Sequence, residues 1–300
     1  MPPKLYAACW LLFVSAVWGG AFVFMKVAME DITPLYFVCF RFLLAALIMI
    51  ILCGKRLKSF NKKLFFASLW TGIPLALGLI LQTVGLEQTT VANTAFISGL
   101  YVIFVPLLAA FGGKRPQKSQ IFLVCVSVLG LLIFSGNQNF RMSWGDFLIL
   151  LSALAFAWQL LAVEHHGNRH SSLLLAFGQI LVAAIVCSLA AVLAEPVPTF
   201  ISQSVLISLL YCGIFSTALA FLLQIRAQRL IPAEEAALVV ISEALFGAYF
   251  GYWLLGETFS DRQLVGAVII ISSLVGAALV PFLRQRYKRK RHKQAEAHFR

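Results

Sequence analysis

Runs of apolar residues, each about as long as a bilayer crossing, alternate along this chain with short polar connections. Ten such runs are counted, near residues 5–26, 34–53, 64–84, 89–111, 119–136, 145–163, 172–193, 203–225, 232–254 and 262–283. A hydrocarbon core of roughly 30 Å needs about 20 residues of helix at 1.5 Å rise per residue, which is the length of these runs. The expected fold is therefore an all-α membrane protein with ten transmembrane helices and no intervening soluble domain.

Composition agrees with the pattern. The 300 residues are 61% hydrophobic and 12% charged, with a mean hydropathy of +0.90. Soluble domains carry roughly 25% charged residues, so a water-soluble globule is excluded. The formal charge of +12 would suggest nucleic acid if it were spread over a surface, but it is sorted by topology. If the runs alternate in direction, Lys4, Lys55, Arg56, Lys58, Lys62, Lys63, Lys114, Arg115, Lys118, Arg169, Arg226, Arg229 and the basic tail after residue 283 share one side. The other side collects Glu30, Asp31, Glu87, Glu195, Glu257 and Asp261, with Arg141 and Arg262 as its basic residues. Positively charged loops stay in the cytoplasm, so both termini are expected there, and no nucleic-acid partner is needed. The tail, 284–300, directly follows a span and is read as a cytoplasmic segment that attracts anionic lipid headgroups. Cys9, Cys39, Cys53, Cys125, Cys187 and Cys212 stand singly in apolar surroundings, without disulfide or metal spacing.

The chain also repeats itself. Leu69, Gly72, Ile73, Leu81, Ala92 and Ala95 recur 141 residues later as Leu210, Gly213, Ile214, Leu222, Ala233 and Ala236, while Leu11, Ser15 and Ala16 recur after 137 residues as Leu148, Ser152 and Ala153. These matches pair run one with six, three with eight and four with nine, which two five-helix halves would give, here 5–136 and 145–283. Five is odd, so the second half enters the bilayer inverted, the plan of many secondary transporters, whose substrate site lies near the midplane where the halves meet.

Candidate chemistry lies in the polar residues within the runs. Glu243 falls at the middle of run nine. An ionised side chain there costs at least about 2.5–3.5 kcal/mol on insertion scales, so such a group normally faces a hydrated cavity or a partner. Arg41, about seven residues into run two, has three roles open to it: snorkelling, binding a substrate carboxylate, or pairing with an acid such as Glu243. Lys26 has Glu30 as an i,i+4 partner. Trp18 lies deep in run one beside Gly19 and Gly20, where missing side chains admit a ligand or another helix. Ser98, Tyr101, Trp158 and Gln179 complete the candidate set as polar or aromatic side chains within runs, able to line a cavity or bond across helices. No nucleotide-binding loop is present, and His165, His166, His170 and Glu164 lack metal-ligand spacing, so neither an enzyme, a metal nor a cofactor is expected.

Several motifs carry a resemblance. Ser15-Ala-Val-Trp18-Gly19-Gly-Ala-Phe precedes Lys26; Thr33-Pro34 leads to Arg41-Phe42; Gln82-Thr-Val-Gly85-Leu86 is followed by Ala92-Asn-Thr-Ala-Phe-Ile-Ser-Gly-Leu-Tyr-Val and Pro106; the second half has Ser242-Glu243-Ala244, Leu254-Leu-Gly256-Glu257, Gly266 and Gly276. Together they resemble the drug/metabolite transporter superfamily, specifically its ten-span proteins with two EamA repeats. Where such proteins commonly have proline after this glutamate, Ala244 stands, and a straighter helix is expected. The resemblance implies alternating-access secondary transport, expected outward, of a small organic metabolite such as an amino acid, amine or drug across a bacterial inner membrane. Protons are the candidate coupling ion. A channel-like conduit or an importer of the same substrates is the alternative.

Overall fold

The computed structural model describes residues 3–113, 118–135, 142–273 and 275–276, and among them there is helix and no strand. The long apolar runs become α1 (Pro3–Ala28), α2 (Pro34–Cys53, prolonged by a tight helical turn to Ser59), α3 (Lys62–Glu87), α4 (Val91–Ser98) with α5 (Tyr101–Phe111), α6 (Lys118–Ser135), α7 (Trp144–Gly167) and α8 (Ser172–Ala194). Next come α9 (Gln203–Leu210), a π-helical segment Tyr211–Leu219 and α10 (Ala220–Gln228), then α11 (Ala233–Val240) and α12 (Ser242–Leu255). A last helix, α13, covers 261–273. Among the described residues, eight helical segments are long and apolar enough to cross a membrane. The expected fifth and tenth spans, 119–136 and 262–283, run into residues outside the description. So do Lys114, Arg115, Arg141 and the tail 284–300.

Helix starts follow local chemistry. Asn61, Thr90, Ser143 and Ser202 each accept the backbone N–H three residues on, and Ser143 with Asp146 closes a reciprocal capping box. Helix ends are tied by charge. The Glu257 carboxylate accepts the N–H groups of Val91 (2.7 Å) and Ala92 (3.0 Å) at the start of α4. Glu195 does the same for Leu35 and Tyr36 on α2, and Glu164 for Ala233 on α11. These are negative charges at positive helix ends. Lys26, expected beside Glu30, instead donates to the carbonyls of Leu86 (2.9 Å), Glu87 (3.2 Å) and Thr89 (2.8 Å), where α3 ends.

Three of the expected continuous spans are irregular. Run four breaks at Gly99 and Leu100, run eight widens into the π-helical segment, and run nine is interrupted at Ile241. The ninth helix, expected to be straighter without proline, keeps right-handed angles through Ile241 but tightens there, with Ala244 N donating to Ile241 O at 2.9 Å. Leu100 and Ile241 are 141 residues apart, the separation of the sequence repeat.

Packing repeats as well. A Cβ at Gly72 would stand 2.7 Å from Val182 Cβ, and a Cβ at Gly213 would stand 2.7 Å from Leu44 Cδ2. The α3–α8 contact and the contact of the π-helical segment with α2 thus use glycines 141 residues apart and partners 138 apart. Outward faces are apolar, as at Leu47, Ile51, Leu193, Trp253 and Val268, whereas Arg41, Gln82, Gln159, Gln179, Gln224 and Glu243 are buried. Polar groups inside and hydrocarbon outside is the distribution that a lipid solvent imposes.

Candidate functional site

The interruptions in runs four, eight and nine converge on one cavity of about 50 Å³ among the helices. Ser98 and Tyr101 flank the first interruption, Ser216 belongs to the π-helical segment, and Val240 and Glu243 flank the last; all five line the space. From α1 and α7 come Trp18 with Phe156, Ala21 with Gln159 and Phe22 with Leu160, pairs each 138 residues apart. The sequence matches had suggested 137 for these helices; the lining positions repeat one residue later. Arg41, Gln82, Phe221 and Gln224 close the walls.

Its electrostatics are lopsided. Arg41, 2% exposed, donates Nε to Thr217 Oγ1 (2.6 Å), one terminal nitrogen to Ser216 Oγ (2.8 Å) and Ser216 O (3.5 Å), and the other to Met25 Sδ (3.5 Å). Trp18 Nε1 donates to the same Ser216 O at 2.8 Å. Glu243 is 8% exposed and makes no hydrogen bond to a described residue. No ion pair joins it to Arg41; the guanidinium is held by neutral oxygens instead. Gln82 Nε2 donates to Ser98 Oγ (2.9 Å), and Gln159 and Gln224 exchange amide hydrogen bonds of 3.0 and 3.5 Å. The Tyr101 hydroxyl and Gln179 Nε2 are buried with no partner. A cavity with aromatic walls, an unpartnered carboxyl group and a spare hydroxyl has the make-up of a small-molecule site.

A profile of the EamA-like transporter family matches residues 5–136 and again 143–279. The chain belongs to the EamA-like transporter family. It is a multi-pass membrane transporter of small molecules, not an enzyme. Among its relatives, this EamA-like transporter is 29% identical over 283 residues to an uncharacterized transporter of Archaeoglobus fulgidus, covering 92% of this chain and 87% of the other. It is 26% identical over 299 residues to the S-adenosylmethionine/S-adenosylhomocysteine transporter of Chlamydia trachomatis, covering 89% and 88%. It shares 22% identity with the uncharacterized inner membrane transporter YedA of Escherichia coli, covering 93% and 92%. A solved crystal structure superposes with a TM-score of 0.71 at 13% identity over 91% of this chain and 96% of that one, a likeness of fold.

Of the residues singled out from sequence, Glu243, Arg41, Trp18, Ser98 and Tyr101 meet at the transporter's cavity. Gln179 stands behind the wall, accepting from Gln159 Nε2 at 3.2 Å. Gly19 faces elsewhere: a Cβ there would come within 2.6 Å of Phe246 Cβ and 2.7 Å of Gly247 N, so it serves the crossing of α1 and α12. Trp158 is 42% exposed on the outer surface and packs on Trp70 with ring centroids 5.8 Å apart. A residue one position from Trp158, Gln159, takes the inward face that the tryptophan had been assigned. The lining residues not singled out include Phe156 and Phe221, aromatic rings indistinguishable by type from those facing lipid.

Proposed function

We propose that this EamA-like transporter has ten spans in two oppositely oriented five-helix halves, 5–136 and 145–283. In this reading both termini lie in the cytoplasm of a bacterial cell, and small organic metabolites are carried outward across the inner membrane by alternating access. The observation that carries the reading is the buried, unpartnered carboxylate of Glu243 in a cavity shared by α1, α7 and the interrupted helices of both repeats. The reciprocal contacts Gly72–Val182 and Gly213–Leu44 support two pseudo-equivalent halves, since a two-fold relation makes each contact occur twice. Inversion follows from the odd number of helices per half. Amino acids, amines and drugs fit a cavity that offers Trp18, Phe156 and Phe221 to an apolar group and Glu243 to a cationic one. The relative named for S-adenosylmethionine transport adds weight to substrates with an amino-acid group.

The test is counterflow in proteoliposomes against labelled amino acids, amines and cationic drugs, with wild type and Glu243→Gln. Saturable exchange distinguishes a carrier from a conduit. Loss of exchange or of its pH dependence in Glu243→Gln is expected; unchanged rates with an unchanged pH profile would remove Glu243 from the mechanism. An altered pH profile marks it as the proton-coupling carboxyl, and loss confined to cationic compounds marks it as a substrate contact.

A further inference from the structure

The π-helical segment turns wider than an α-helix, a distortion that recurs at functional sites. Here it presents Ser216 to the cavity and sets Thr217 behind it, against Arg41. Ser216 O accepts the Trp18 indole N–H at 2.8 Å and Ser216 Oγ accepts the Arg41 guanidinium at 2.8 Å. Thr217 Oγ1 accepts from Arg41 Nε at 2.6 Å and donates its own hydrogen bond to Cys212 O, five residues back, at 2.7 Å. Two strong donors of the cavity therefore end on neutral oxygens of one irregular turn. Across the space, neither Glu243 nor the hydroxyl of the buried Tyr101 has a hydrogen-bond partner among the described residues. The arrangement satisfies the guanidinium and leaves the Glu243 carboxyl without a hydrogen bond to a described residue.

A carboxylate entering this space is a better acceptor than Ser216: it turns the neutral Trp18 contact into a charge-assisted one, and it offers Arg41 an ionised acceptor with two oxygens in place of a neutral hydroxyl. We propose that Ser216 occupies the carboxylate subsite of the empty transporter as an internal stand-in, and that the substrates are zwitterions whose carboxylate displaces it while their cationic group turns toward Glu243. The inference rests on the cavity being the transport path, and it narrows the substrates from organic metabolites at large to those with both charges. Displacement also cuts the Ser216 bonds that help fasten α1 and α2 to the π-helical turn of the other repeat, leaving Arg41 Nε on Thr217 and the Tyr211 hydroxyl on Val17 O. Occupancy thereby loosens a contact between the halves, as an alternating-access carrier requires.

The experiment uses matched pairs that differ only by the carboxylate: L-phenylalanine and phenethylamine, L-leucine and isoamylamine, L-tryptophan and tryptamine. Half-saturation of counterflow is measured for each with the full-length protein in proteoliposomes, and the readout is the preference for amino acid over amine. Wild type is expected to prefer the amino acids. Trp18→Phe, which keeps the ring and removes the N–H, lowers that preference by about tenfold. Ser216→Ala, which removes a competing acceptor and creates no bulk, raises it. Exchange of the amines in preference overturns the carboxylate assignment and leaves the carrier reading standing. A preference within about twofold of wild type in both variants also overturns it. Exchange of no compound in these pairs or in the drug panel fails both readings.

Discussion

The crossing of α12 between α1 and α4 offers a sharp test of packing at the site. A Cβ placed on Gly247 would lie 2.5 Å from Ala95 Cβ and 3.1 Å from Phe22 Cδ2, while on the neighbouring side Gly19 abuts Phe246 and the Gly247 backbone. Carbon atoms pack at about 3.5–4.0 Å, so Gly247→Ala forces α12 away from α4 by roughly 1 Å, against α1 that is already in contact. Overpacking of a core costs about 1–3 kcal/mol. Rigid neighbours on both sides put this position near the upper end, and the better helix propensity of alanine returns up to about 1 kcal/mol, for a net loss of about 2 kcal/mol. Ala95→Gly removes the closest clashing atom, leaving the 3.1 Å approach to Phe22, which a small ring shift relieves. The double variant is therefore more stable than the sum of the single effects predicts, by about 1 kcal/mol or more. Equilibrium unfolding in mixed detergent micelles, followed for wild type, both single variants and the double, measures that coupling. A Gly247→Ala protein as stable as wild type, or a coupling indistinguishable from zero, would refute the close three-helix crossing.

Two further outcomes test other parts of the structure. Glu257→Gln keeps the shape of the side chain but removes its charge and one acceptor, so a loss of about 1–2 kcal/mol and faster hydrogen exchange at Val91 and Ala92 are expected; unchanged exchange there would contradict the cap on α4. Trp158→Phe is expected to leave counterflow at the wild-type rate, because the ring lies on the outer surface beside Trp70; a clear fall in rate would return it to the transport path.

Much of this architecture was legible before any coordinates. A bilayer demands stretches of fixed length and low polarity, so the eight long helices fall where hydropathy places them. The cost of a charge in hydrocarbon singled out Glu243 and Arg41, and both lie at the cavity. Pairing between them was one open role for Arg41, yet the guanidinium turned to Ser216 and Thr217. Nothing in the residue types around 211–219 announces a π-helical turn, and that turn supplies the acceptors. The break at Ile241 was similarly hidden, since proline, its usual signal, is absent.

Composition and periodicity thus determined that this chain lives in lipid, where its eight described long helices fall, and which of its polar residues are too costly to be idle. Only tertiary structure decided which side of each helix turns inward, placing Gln159 rather than Trp158 at the cavity and Gly19 at a helix crossing rather than beside a ligand. The physical reason is that lipid tails are as apolar as a leucine-lined helix interface, so a helix apolar all round has no sequence label for its inward face. That choice is made by close packing at Gly72, Gly213 and Gly247, where one missing side chain fixes how two helices meet.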